Sequence, residues 1–311
     1  MTELTGNNRA KPTVEQINSF RSVIKEICGL DITPEKGYLI EQRLEPILGQ
    51  NKLTGFGELL TKLENSMSIL LRDQVVAAIT TQETSFFRDI HPYTSFQLFL
   101  LPWLADLIKR RKYTLGLSAE PKVRIWSAGT ATGQEAYSLA IAIIEFCKRK
   151  NDPGLHPVDF SILGTDISPA ALRYASRGIY TDAEINRGLP KYYRDTYFQE
   201  VPEGWKVNAK TASLVKFERA NLMQHFSLLG PFDIIFCRNV LIYFSNEAKD
   251  SIVAQFHRIL EPDGYVVLGS SEMLKESNSN FLSVRSGSTL LYKKINGNNG
   301  AWKTSTLKPL S

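Results

Sequence analysis

Apolar residues recur every three or four positions through the early chain and then contract into short unbroken runs. This change of period predicts helices first and a largely parallel sheet afterwards. Ile17, Phe20, Ile24 and Ile27 mark one helix, opened by a Thr13-Val14-Glu15-Gln16 stretch with the spacing of a capping box. Leu39, Ile40 and Leu44 mark a second. Leu59, Leu60 and Leu63, then Leu70, Leu71, Val75, Val76 and Ile79, predict two more. Residues 13–90 therefore read as an all-helical N-terminal domain behind a loose tail over 1–12. A linker helix from Pro92 to Lys109 and a polar Gly-Pro stretch fill 91–121.

From Lys122 onward the runs alternate with helical patterns. Val123-Arg124-Ile125-Trp126 and Phe160-Ser161-Ile162-Leu163-Gly164 read as strands, with helices from Glu135 to Lys148 and Pro169 to Arg177. The alternation breaks over about 180–216, where a short helix near Lys191 to Tyr197 and segments such as Trp205-Lys206-Val207-Asn208 predict a small antiparallel insertion. Pro231 to Phe236 resumes the sheet, Asn246 to Leu260 is the next helix, and Gly264 to Leu268 precedes a closing hairpin of Phe281 to Arg285 and Thr289 to Lys293. The expected fold is α/β: a doubly wound Rossmann-like sheet over 122–295 carrying an antiparallel β-subdomain, then a loose tail over 296–311.

Ligands of such sheets bind beyond the carboxyl ends of the strands. There the chain places Arg238 and Asn239, followed by Tyr243 and Phe244, whose rings suit packing round a ligand as well as core closure. After the first strand, Ser127-Ala128-Gly129-Thr130-Ala131-Thr132-Gly133-Gln134-Glu135 has small residues that let a ligand approach the main chain. It lacks the Lys of a P-loop and the three spaced glycines of a dinucleotide site, so both phosphate-cradle readings lose ground. Asp166 ends the second strand, where a carboxylate suits ribose hydroxyls. Its competing role, capping the next helix, is already met by Ser168 before Pro169. Arg219-Ala220-Asn221-Leu222 falls at another strand end, where an Asn amide suits an adenine edge and a plain turn is the rival reading. Together these edges describe a crevice for an adenosyl group. Thr80 to Asp89, with Phe86-Phe87-Arg88 at its centre, closes the helical domain, and taken alone it anchors a linker.

Composition narrows the class. With 43% hydrophobic and 22% charged residues, the chain is neither disordered nor a membrane bundle. Its most apolar stretch, Phe96 to Ile108, is too short to span a bilayer and is broken by Pro102 and Asp106. Met1 to Lys11 is polar and unlike a signal peptide. Cys28, Cys147 and Cys237 are far apart and the four histidines do not cluster, so a reducing cytoplasm and no metal are expected. The net charge of +5 is spread among acids. Its densest basic patches, Arg110-Arg111-Lys112 and Lys148-Arg149-Lys150, fall where predicted helices end and complement the dipole. No nucleic-acid partner is expected.

In this order the segments resemble the CheR-type chemotaxis receptor methyltransferases, which use S-adenosylmethionine to methylate glutamate side chains. The Phe-Phe-Arg and Cys-Arg-Asn-Val-Leu-Ile-Tyr-Phe motifs carry the resemblance, which covers nearly the whole chain. It implies S-adenosylmethionine as cofactor, S-adenosylhomocysteine as product, and the cytoplasmic domain of a methyl-accepting receptor as partner. It implicates Gln82, Thr84, Arg88, Glu135, Asp166, Asn221, Leu222, Arg238 and Asn239 in cofactor contact, and sets Arg88 and Tyr243 nearest the transferred methyl. It also makes the insertion a possible receptor-tether site, with packing on its own domain as the alternative. Three departures bear on it. Gln82 stands where the family usually has Asn, and Gln134 where it usually has an acid. Arg43 is the one basic residue kept in a helix usually richer in them, and Pro46 is expected to shorten or kink that helix. Two alternatives stay open: a cofactor-binding regulatory module without turnover, and, ranked below it, a nucleic-acid methyltransferase.

Overall fold

The computed structural model describes residues 10–65, 68–80, 82–115, 123–275, 280–295 and 305–306. The expected tails and the polar stretch before residue 122 fall largely outside them, although Ser305–Thr306 is a short strand. The chain divides into two compact units, Met1–Thr81 with Tyr243–Ala248, and Gln82–Ile242 with Lys249–Ser311. The Phe-Phe-Arg segment thus belongs to the second unit.

The first unit is built from α1 (Val14–Cys28), α2 (Tyr38–Gln50), α3 (Phe56–Glu64) and α4 (Ile69–Ile79). The capping box forms at α1: Thr13 Oγ1 accepts from Gln16 N–H at 3.2 Å, and Gln16 Oε1 accepts from Thr13 N–H at 3.0 Å. Two donors that the helix leaves orphaned are thereby satisfied. Phe20, Ile24, Ile40, Leu44, Leu59 and Leu63 form its core, with Phe20 edge-on to Phe56 at 6.2 Å. Of the two effects expected of Pro46, shortening does not occur: α2 runs through it to Gln50. The proline removes one intrahelical hydrogen bond, but Ile40 and Leu44 before it and Ile47 and Leu48 after it are all buried, and that packing outweighs the loss. Arg43 Nη1 donates to the Ile79 carbonyl at 2.7 Å, closing the end of α4.

The second unit opens with α5 (His91–Ser95), a π-helical turn (Phe96–Leu100) and α6 (Leu101–Leu115), where one uninterrupted helix was expected. There follow β1 (Val123–Ala128), α7 (Gln134–Lys150), β2 (Phe160–Asp166) and α8 (Pro169–Arg177). The insertion holds β3 (Ile179–Tyr180), α9 (Asp182–Asn186), α10 (Lys191–Tyr197), β4 (Phe198–Val201), β5 (Gly204–Val207) and α11 (Ala209–Ala212). Then come β6 (Val215–Arg219), β7 (Phe232–Cys237), α12 (Asn246–Ile259), β8 (Leu260–Leu268), β9 (Phe281–Ser286), β10 (Thr289–Lys294) and β11 (Ser305–Thr306).

The main sheet has the order β11-β9-β10-β8-β7-β1-β2-β6, and the insertion forms its own antiparallel sheet, β3-β5-β4. β6 pairs in parallel with β2, so the insertion ends before Val215. Strands β6, β2, β1, β7 and β8 run parallel, and the chain reverses its direction of winding at β1, with β2 on one side and β7 on the other. This is the doubly wound order, and its switch point lies between the carboxyl ends of β1 and β7. Trp126 fixes that centre: it is fully buried, stacks on Phe232 at 5.3 Å and donates its indole N–H to Thr165 Oγ1 at 2.9 Å.

Candidate active site

At the switch point β1 leads into a turn of small residues, and β7 leads into Arg238 and Asn239. Gly129 has φ 74°, and a Cβ there would lie 2.5 Å from Val240 Cγ2, so only glycine lets the two turns approach. Thr165 O holds the first turn by accepting from Gly129 N–H and Thr130 N–H, both at 2.8 Å.

Asp166 ends β2 as expected and is buried at 8% exposure. Its Oδ2 accepts from Ala131 N–H and its Oδ1 from Ser168 N–H, each at 2.9 Å. Ser168 Oγ caps α8 by accepting from Ala171 N–H at 3.3 Å, so Asp166 is not the cap. Burial raises the Asp166 pKa; the N–H groups of Ser168, Ala131 and Ile167 and the Gln82 side chain, which bonds the carboxylate, oppose the rise. The family resemblance implicated both Gln82 and Asp166 in cofactor contact, and here their side chains touch. Ala220 N–H donates to the Asp166 carbonyl at 3.1 Å, bringing Asn221 to the same edge. Asn221 Oδ1 accepts from Met223 N–H at 2.9 Å, which fixes the turn, and Leu222 is buried beside it.

Arg238 is committed inside the protein. Its side chain is 2% exposed, Nη1 donates to Glu135 Oε2 at 3.2 Å, and Nη2 donates to Asp89 Oδ2 at 2.8 Å and to the Arg88 carbonyl at 2.9 Å. Its guanidinium carbon lies 5.6 Å from the centre of the Tyr93 ring. Glu135, in the first turn of α7, is buried and also accepts from Ser127 Oγ at 2.8 Å. Desolvation raises its pKa, against the pull of Arg238 and Ser127.

The Phe-Phe-Arg segment is both anchored and strained. Phe86 packs edge-on to Tyr180 at 5.0 Å and Phe198 at 5.4 Å, and Phe87 lies 5.1 Å from Tyr93. Phe87, Asp89 and Ile90 have φ of 48°, 66° and 51°, unusual values for non-glycine residues. Phe87 N–H donates to Ser138 Oγ at 3.0 Å. At Gly188, φ is 100° and a Cβ would lie 2.2 Å from the Phe86 carbonyl oxygen, so the insertion is packed against this segment backbone to backbone. Thr84 and Arg88 are half-buried, and Arg88 Nη1 donates to the Glu83 carbonyl at 3.0 Å.

The second unit therefore brings together Gln82, Glu135, Asp166, Asn221, Leu222, Arg238 and Asn239 at neighbouring strand ends, with the turn carrying Arg88 tied in through Arg238. Tyr243 belongs to the segment grouped with the helical unit, where its carbonyl accepts from Asp31 N–H at 3.0 Å; its side chain is 40% exposed. Sequence reading missed Asp89, the second anion on Arg238, and Glu272, which follows β8 at the next strand end. Asp166 is the last residue of β2, whereas Glu272 lies four residues beyond Leu268, the end of β8, so the strand-end rule that found the first does not single out the second.

Acid should act on this site in a defined direction. Because burial holds the Asp166 pKa above the usual carboxylate value of roughly 3.9, its charge is lost at a higher pH than that of an exposed aspartate. Affinity for a ligand held by this carboxylate should fall as pH drops through the raised pKa, and calorimetry across an acid series reads the effect. The same profile in Asp166→Asn would assign the loss to another group.

Comparison with known proteins bears on the same segments. The family description "CheR methyltransferase, SAM binding domain" matches residues 82–289, and "CheR methyltransferase, all-alpha domain" matches residues 15–80. A chemotaxis protein methyltransferase of Vibrio parahaemolyticus is 38% identical over 90% of this chain and 96% of its own length. Chemotaxis protein methyltransferase 1 of Pseudomonas aeruginosa is 36% identical over 88% and 96%. The chemotaxis protein methyltransferase of Salmonella typhimurium is 30% identical over 80% and 81%.

Proposed function

The chain belongs to the CheR methyltransferase family, and we propose that it transfers a methyl group from S-adenosylmethionine to glutamate carboxylates of a chemotaxis-type receptor. The products are a glutamyl methyl ester and S-adenosylhomocysteine. One observation carries the reading beyond its family: buried Asp166 and the Asn221 turn share one strand edge, beside a glycine-bearing turn with no phosphate-binding lysine. That donor and acceptor set suits an adenosine with no pyrophosphate attached. Among the described residues no helix is long and apolar enough to cross a membrane, and we place the protein in the cytoplasm with the receptor's signalling domain as its partner.

The bound cofactor supplies an electrophilic methyl on a sulfonium. In this reading Asp166 holds the ribose and Asn221 and Leu222 border the adenine, while Gln82, Thr84 and Glu135 complete the pocket. A glutamate acceptor has an unperturbed pKa of roughly 4.3, so it arrives ionised at neutral pH and needs no general base. The chain's task is to orient that carboxylate and exclude water, since opposite charges cancel as the methyl moves. Arg88 orients the carboxylate without pairing so tightly that its nucleophilicity is lost.

Radiolabelled methyl transfer to receptor-containing membranes, with release as methanol in base, tests the reaction: esters hydrolyse and N-methyl groups do not. Labelling that survives base would sink the ester assignment, and binding without transfer would point to a regulatory module. In single-turnover assays at saturating cofactor, Arg88→Ala and Tyr243→Phe should each slow transfer by on the order of tenfold, with Tyr243→Phe changing cofactor affinity less than rate. Wild-type rates in both would remove their roles.

A further inference from the structure

The carboxyl end of β8 runs into Gly269-Ser270-Ser271-Glu272, a turn to which the reaction above gives no task. Glu272 is 8% exposed, and its two oxygens collect four main-chain N–H groups. Oε2 accepts from Asn239 at 2.7 Å and Gly269 at 2.8 Å, and Oε1 accepts from Val240 at 3.0 Å and Ile242 at 3.2 Å. Three of the four donors belong to the turn that carries Asn239.

Asn239 itself sits at φ 58°, a left-handed conformation that asparagine adopts more readily than other non-glycine residues. Its Oδ1 is buried and has no hydrogen-bond partner among the described residues. An orphaned buried acceptor is costly unless a ligand supplies the donor. A Cβ on Gly269 would lie 2.7 Å from Glu272 Oε2 and 2.8 Å from Asn239 N, so the carboxylate, the glycine and the asparagine turn are packed as one piece.

We propose that Glu272 is a positioning residue: it holds the Asn239 carboxamide as an acceptor for an amino or hydroxyl donor of the adenosyl cofactor, without touching the cofactor itself. The inference rests on the cofactor reading above and adds a residue to it. Both Glu272 oxygens are needed, because each accepts two N–H groups. A glutamine of the same shape would turn its own NH₂ toward two donors, leaving them unsatisfied and loosening the turn.

The test is a double-mutant cycle read by calorimetric affinity for S-adenosylhomocysteine. Glu272→Gln alone should weaken binding by about tenfold, the upper end of the range for the loss of one uncharged hydrogen bond. In an Asn239→Ala background the same substitution should change affinity by less than about twofold, because its effect passes through Asn239. Losses that multiply in the double variant, or wild-type affinity in Glu272→Gln, overturn the assignment, including when the melting temperature falls. Should Glu272→Gln not fold, Glu272→Asp, with both oxygens on a shorter stem, enters the same cycle under the same criteria. A wild-type chain that binds no S-adenosylhomocysteine would defeat the cofactor reading and this inference with it. Wild-type binding with an additive cycle defeats only the role of Glu272.

Discussion

Replacing Arg238 by Ala is expected to cost about 3–5 kcal/mol of folding stability, the scale of breaking a buried ion pair from one side. The substitution strands Glu135, a buried carboxylate whose strongest opposing charge is Arg238, and frees Asp89 and the Arg88 carbonyl. The deficit should depend on pH with a definite sign. Burial already raises the Glu135 pKa in the folded chain, and loss of Arg238 raises it further. A group raised in this way favours the fold below its unfolded pKa, and that contribution is lost as pH rises through the folded pKa. The gap between variant and wild type should therefore widen from acid toward neutral pH in denaturant titrations. A gap independent of pH would mean that Glu135 stays ionised without Arg238. Arg238→Lys should recover only part of the loss, since a point charge cannot reproduce the planar fork that meets Glu135 on one nitrogen and Asp89 and Arg88 on the other. Transfer should fall with stability, because the strained turn presenting Arg88 loses its tie.

Asp166→Ala should weaken S-adenosylmethionine and S-adenosylhomocysteine alike by about 1.5–3 kcal/mol, the range for a hydrogen bond to a charged group, or roughly tenfold to 150-fold. The equality matters as much as the size. If Asp166 serves the ribose, free adenosine should lose affinity by the same factor, because the ribose is common to all three. The substitution also removes the acceptor for Ala131 and Ser168 N–H, which shape the glycine-bearing turn and the start of α8. Asp166→Asn, which keeps one oxygen, separates the two contributions: an intermediate loss is expected. Unchanged calorimetric affinity in Asp166→Ala would remove the ribose assignment.

The sequence by itself determined most of the elements and their order, though not the π-helical turn at Phe96–Leu100 or the short strand Ser305–Thr306. Capping at Thr13, the β-α alternation after Lys122, the break over the insertion and the closing hairpin all follow from periodicity and local hydrogen bonding, which a chain carries residue by residue. It also determined which residues stand at strand ends, because an apolar run that stops at Asp166 or Cys237 announces the edge where ligands bind.

Tertiary structure decided what those residues do with their bonds. Nothing local indicates that Arg238 spends its guanidinium on Glu135, Asp89 and the Arg88 carbonyl, or that the orphaned acceptor beside it is Asn239 Oδ1. Pro46 shows the same limit from the other side: its local rule favours an early helix end, and four buried neighbours along α2 carry the helix on to Gln50. Glu272 was the least legible, since three of its four partners lie some thirty positions earlier in the chain. The physical reason is common to all three. Propensity and capping act between neighbours, whereas burial of charge and satisfaction of main-chain N–H groups are settled only when distant strand ends meet.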